Sequence, residues 1–204
     1  MIETGDIEKV ASRTCAGNES EIRITKGKNR DLSDYGFYAD DDTIRQALAN
    51  FRNGIETAPN IQSLLGSEAN FAKALYKYSA QHTDQPDFVR DVESDDDANR
   101  KLNHGNYLAY GLAASVLWVL GIPHAFALMH GKTRRGALVF DIADLIKDSI
   151  VLPWSFIAAQ EGYDDQDFRD LCLQKFTQHK AMEFMFNQVK SQSLMWRKDE
   201  PLSN

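Results

Sequence analysis

Apolar residues recur at steps of three and four along most of the chain after residue 40, the period of helices that turn one face to a core. Asp41 and Asp42 supply caps for a first helix running to about residue 56, with Ile44, Leu48 and Phe51 on one face. Asn60 opens a second, NIQSLLGSEANFAKALYKYSAQ, whose stripe is Ile61, Leu64, Leu65, Ala72 and Leu75. A third spans about 98–120; Gly121 ends it and Pro123 prevents its continuation. Its first turns carry Arg100, Lys101, Asn103, His104, Asn106, Tyr107 and Tyr110. The rest of it is apolar on all sides, which predicts a place at the centre of the domain. Residues 124–130 read as a short extended or irregular stretch and 131–136 as a basic turn. A helix then starts near residue 137 and meets Pro153, which kinks or ends it. Two further helices are predicted at 155–160 and 164–192, and the tail around Pro201 frays. Residues 1–35 are polar and broken by Gly and Asn, with one strand-like run, EIRIT, at 21–25. The pattern predicts a mainly all-α fold with a short irregular N-terminal segment, no internal repeat and no glycine-rich phosphate loop.

Composition changes this picture little. The 204 residues suit one domain or one domain with an appendage, and 43% hydrophobic content is enough for a core. Cys15 and Cys172 stand far apart in no metal-like spacing, which favours a reducing, cytoplasmic setting. The start lacks the order of a secretory signal. The longest near-apolar run, 107–122, is short of the ~20 residues a spanning helix needs and is interrupted by Gly111 and Gly121, so no membrane partner is expected.

Charge matters more. A net charge of −7 argues at face value against nucleic acid, because phosphate contacts need Lys and Arg. The charge is uneven, however. Residues 81–97 hold seven acids and one arginine, so the remainder is near neutral and leaves room for a local basic surface. The acidic run itself reads as a solvated linker that ends in an Asp cap for the next helix.

Two features suggest chemistry. Glu68 falls inside the apolar stripe of the second helix, where a carboxylate costs several kcal/mol unless it is paired or bound to a cation. A buried ion pair or an edge position would explain it as well as a ligand role. Asp141, Asp144 and Asp148 form an i, i+3, i+7 stripe bordered by Leu138, Ile142, Leu145 and Ile146. Alone, that is an amphipathic helix with a wet face. It lies just after His130 and the Lys132, Arg134, Arg135 cluster, a setting that could put carboxylate and imidazole ligands beside phosphate-binding cations. Carboxylates with one imidazole and no thiolate suit Mg²⁺ or Mn²⁺ better than a closed zinc site.

The blocks NRDLSDYGFYADD, LLGSEANFAKALYK, NHGNYLAYGLAASVLWVLGIP and, above all, HGKTRRGALVFDIADLIKDSIVLP resemble the CRISPR-associated adaptation integrase, the Cas-one family, in its subtype I-F branch. The resemblance covers about residues 29–192. It implies a helical catalytic domain with a single divalent metal, Mg²⁺ or Mn²⁺. Carried over position by position, it makes Glu68, His130 and Asp144 the metal ligands and places Asp141 beside them in a supporting role. These four are the implied catalytic residues. His124 has no match in the site and is left as a packing or hydrogen-bonded histidine. The implied reaction is phosphoryl transfer, in which the 3′-hydroxyl of a captured DNA fragment attacks a repeat phosphodiester, or water does so in a nuclease reaction. Lys132, Arg134 and Arg135 are candidate DNA-backbone contacts, and Arg100, Lys101 and His104 weaker ones; a solvated basic turn is the alternative for the first group and a solvated helix start for the second.

The resemblance has one gap. Family members usually carry an N-terminal β-rich domain that makes the dimer, and residues 1–35 leave room for only a remnant of it, with 36–204 as the helical catalytic domain. A fragment, a natural short integrase, and an integrase-derived module that docks on or inhibits CRISPR proteins all fit. All four acidic and His positions are filled, which favours the enzyme. The expected partners are DNA, the small Cas-two protein (fused to the Cas-three helicase-nuclease in subtype I-F) and a second copy of the chain. That second copy would meet the apolar face of the predicted 164–192 helix, unless the face packs on the chain's own core.

Overall fold

A computed structural model describes residues 31–125 and 136–196. Among these residues every regular element is helical. After a 3-10 turn at Leu32–Tyr35 come α1 (Asp42–Thr57), α2 (Ile61–His82), α3 (Asp97–Val119), α4 (Ala137–Ile146), a π-helical segment (Lys147–Val151), α5 (Leu152–Gln160), α6 (Asp165–Gln178) and α7 (Ala181–Trp196). The strand expected at 21–25 and most of the 1–35 segment lie outside the described residues.

The caps act where the sequence places them. Asp41 accepts from the Thr43 N–H at 2.7 Å and Asn60 from the Ser63 N–H at 2.9 Å. Asp96, the end of the acidic run, accepts from the Asn99 N–H at 3.0 Å and starts α3. Gly121 stops that helix at φ +67°, with the Ile122 N–H reaching back to the Leu117 carbonyl.

α1 and α2 form a hairpin with its own small core, in which Phe51 stacks on Phe71 at 5.0 Å beside Ile55 and Leu64. The far half of α2 turns to a different partner. There Ala80 packs with Ala98, Leu102, Leu152 and Phe156, which joins the hairpin to α3 and α5. The main core lies between α3, α4, α5, α6 and α7. α3 is central, as expected, but it is not covered on every side: Tyr107 (72% exposed) and Trp118 (79%) face outward. The helix enclosed nearly all round is α5, buried from Leu152 to Ala158. Gly105 allows this packing, because a Cβ there would lie 2.5 Å from Val151 Cγ1 and 3.2 Å from Phe168 Cζ.

In the C-terminal half one boundary falls as expected and one does not. The helix that starts at Ala137 ends before Pro153, at Ile146, and Pro153 sits in the first turn of α5. Its missing N–H is accommodated by a wider π turn just upstream, closed by the Leu152 N–H on the Lys147 carbonyl, and α5 follows without a gap. The single helix predicted at 164–192 is two, broken at His179–Lys180, where Lys180 adopts φ +50°. The apolar face expected there is consequently split. Phe168, Cys172, Phe176, Met185 and Val189 all pack into the chain's own core, while Leu173 and Met182 stay exposed.

The acidic run is tied down. Arg90 donates to Asn99 Oδ1 at 2.7 Å and to Asn103 Oδ1 at 2.6 Å, both on α3. The buried Asn99 amide in turn donates to the Val89 carbonyl at 2.8 Å, and Phe88 packs edge-on against Phe156.

Candidate functional site

Asp141, Asp144 and Asp148 come from α4 and the π segment. Leu138, Ile142, Ala143, Leu145 and Ile146 are buried and fix which side of the helix faces the core. The three carboxylates border that side, and all are half-buried, so the wet face that the pattern alone suggested is not wet. The Asp144 side chain keeps 17% of its exposure and pairs with Lys147, one turn on, whose own side chain keeps 24%. The Lys147 ammonium also lies 5.7 Å from the centre of the Tyr110 ring, on α3. Tyr110 meets Phe140 edge to face at 4.7 Å and Tyr107 at 6.0 Å, so an aromatic row runs from the paired charges to the surface.

The electrostatics follow from this crowding. Burial pushes the Asp148 carboxyl up to about 6; the Asp144 charge adds to the effect and Lys147 opposes it. Lys147 is held above the ordinary lysine range by Asp144 and Tyr110, which outweigh its own burial. The Tyr76 phenol on α2 is raised by burial and then by the Asp148 charge, with Arg90 opposing. Asp148 is therefore felt on α2 as well as on its own helix.

Glu68 is half-buried on α2, and Tyr76 follows it by eight residues, with Ala72 between. That spacing keeps both on one side of the helix, roughly 12 Å apart along its axis. His130, Lys132, Arg134 and Arg135 lie outside the described residues. Among the described residues no three His, Cys, Asp or Glu side chains converge closely enough to hold a metal. The proposed set of Glu68, His130 and Asp144 includes the one imidazole that is not described. The donors that are described suit Mg²⁺ or Mn²⁺: they are hard carboxylate oxygens, and Asp144, drawn out of water, already faces a cation. The one thiol described, Cys172, is buried in the core and pushed up to about 12, so it supplies no thiolate.

The three weaker DNA candidates separate, with the His104 ring edge-on to Phe168 at 5.8 Å. Arg100 is half-exposed and pairs with Asp97 at 2.6 Å and Asp165 at 3.4 Å. Lys101 is 1% exposed, with its ammonium on Asp97 at 2.5 Å. It stands inside the domain, not on a surface open to phosphate. His124 is half-buried, and its backbone carbonyl accepts the Leu138 N–H at 3.2 Å. Sequence reasoning passed over Lys147, Tyr76 and Arg90. Only Lys147 carried a signal, a lysine one turn after an aspartate.

Residues 19–170 match the family model of the CRISPR associated protein Cas1, a span that contains Glu68, His130, Asp141 and Asp144. The chain belongs to the Cas1 family. This Cas1 chain is 49% identical over 171 residues to the CRISPR-associated endonuclease Cas1 of Pseudomonas aeruginosa (strain UCBPP-PA14), covering 83% of the chain and 53% of that protein. It is 48% identical over 149 residues to the corresponding protein of Pectobacterium atrosepticum, covering 72% of the chain and 46% of that protein. The chain thus spans about half the length of the curated relatives it matches. Among solved structures, a TtCas1–DNA complex aligns with a TM-score of 0.60 at 19% identity, over 81% of this chain and 65% of that one. TtCas1 alone aligns with a TM-score of 0.59 at 19% identity, over 93% and 66%. At that identity the likeness establishes the helical Cas1 fold alone.

Proposed function

We propose that this chain carries the catalytic half of a metal-dependent DNA endonuclease and strand-transfer enzyme of CRISPR adaptation. Glu68, His130 and Asp144 would hold one Mg²⁺ or Mn²⁺, with Asp141 beside them. The observation that carries the reading is the half-buried carboxylate row of α4, lying within the matched family span and already facing a cation at Asp144. A divalent ion bound there would stabilise the negative charge that develops on a phosphodiester under attack. The chain's own part is to hold the carboxylates in position, to crowd out water with Tyr110 and Phe140, and to present cations to the DNA backbone. Lys132, Arg134 and Arg135 are proposed for that last role, with Arg100 at the margin.

DNA is proposed as substrate, the Cas-two protein as partner, and a second copy of the chain as a partner once DNA is bound. The alternative is a module that docks on CRISPR proteins. Cleavage and joining of branched DNA by the purified chain, with and without Mn²⁺, separates the two. The catalytic reading expects activity that EDTA removes and that falls at least about a hundredfold in Glu68→Ala and Asp144→Ala, with far-UV circular dichroism unchanged. Activity that survives EDTA, or is retained in both variants, would overturn it.

A further inference from the structure

Lys147 stands where the chemistry of the carboxylate row requires a positive charge. Its ammonium pairs with Asp144, and Asp148 is the next residue along the chain. Asp141 is one turn before Asp144, so three carboxylates share a short stretch of helix with this one lysine. One unit charge leaves that group acidic, whereas a divalent ion matches it better. The lysine stem is long and flexible, and the Tyr110 ring, 5.7 Å from Nζ, offers a second place for the ammonium to rest.

We propose that Lys147 is the resident counter-ion of the site: it occupies Asp144 while no divalent cation is bound and swings toward Tyr110 when one binds. This rests on the metal-site reading of Asp144 given above. The consequence is competition. Lys147 offsets part of the negative charge and holds Asp144 in place before the metal arrives, at the expense of metal affinity.

The test is Mn²⁺ titration of the whole chain by calorimetry, without DNA, alongside thermal melts at zero and saturating Mn²⁺. Lys147→Met keeps the stem and removes the charge. It should bind Mn²⁺ about tenfold more tightly, as loss of a nearby positive charge requires. It should melt lower than wild type without metal and recover that difference with metal. Lys147→Arg, which keeps the charge, should bind Mn²⁺ much as wild type does, and it serves if Lys147→Met does not fold. Asp144→Asn separates the two readings. If it abolishes Mn²⁺ binding while Lys147→Met leaves affinity unchanged or weaker, the counter-ion role is wrong and the metal site stands. The same holds if Lys147→Arg gains affinity as a neutral residue would. If wild type binds no Mn²⁺, or Asp144→Asn binds as wild type does, the metal-site reading fails and the counter-ion role fails with it.

Discussion

Asp148 holds its proton to about pH 6 in the folded protein, whereas an unfolded aspartate loses it near ~3.9. Between those values the folded state binds more protons than the unfolded state. The stability linked to this group is therefore complete below the unfolded value and is lost as pH rises through about 6. Asp148→Asn should raise stability at pH 7 by about 1–3 kcal/mol and leave it nearly unchanged at pH 4; urea unfolding at the two pH values measures this. Asn99 makes the opposite case, a buried polar residue whose hydrogen-bonding groups are used. It accepts from Arg90 and the Asp91 N–H, and donates to Val89 and Asp96. Asn99→Ala strands those partners and should cost about 2–4 kcal/mol. Hydrogen exchange should show the Asp91 amide losing protection while the core of α3 keeps its own.

At the scale of elements, α3 carries two glycines with opposite meanings. Gly105 lets α3 approach the π segment and α6, because a methyl group there would overlap Val151. Gly111 faces open space on the outer side of the same helix. Gly105→Ala should destabilise by about 1–3 kcal/mol through overpacking. Gly111→Ala should stabilise by about 0.5–1 kcal/mol, the ordinary preference of a helix interior for alanine. Paired denaturation curves would show the two midpoints moving in opposite directions. The same outcome would confirm that α3 is a central helix with one uncovered face.

On the scale of the whole molecule, the proposed metal joins segments that local structure does not. A ligand that binds only the folded state stabilises it in proportion to its saturation. Saturating Mn²⁺ should therefore raise the melting temperature of wild type, and Glu68→Ala or Asp144→Ala should remove the shift. Light scattering bears on assembly. Among the described residues of α6 and α7, most of the apolar face is packed into the chain's own core, and Leu173 and Met182 are the large apolar side chains left exposed for self-association. The expected result at micromolar concentration is a monomer without DNA. A stable dimer would mean that another surface supplies the contact.

Much of this protein is written in local sequence. The starts of α1, α2 and α3 are set by Asp41, Asn60 and Asp96, and the end of α3 by Gly121, because capping needs only groups within one turn of each other. The family was legible too, since long motifs such as the one from His130 to Pro153 are read without any fold. Tertiary structure decided which polar residues lie inside. Lys101 looked like a solvated helix start, yet its side chain is enclosed in the domain with Asp97 as its counter-charge. The helix break at Lys180 and the π turn before Pro153 also depend on how distant helices pack, and periodicity cannot register that. The carboxylate site shows the division most clearly. Its members follow from the motif, but the burial that raises Asp148, the ring of Tyr110 beside Lys147 and the reach of Asp148 to Tyr76 arise only when α2, α3 and α4 are folded together. Charge placement depends on three-dimensional neighbours, and those are the part of the structure that a one-dimensional pattern leaves open.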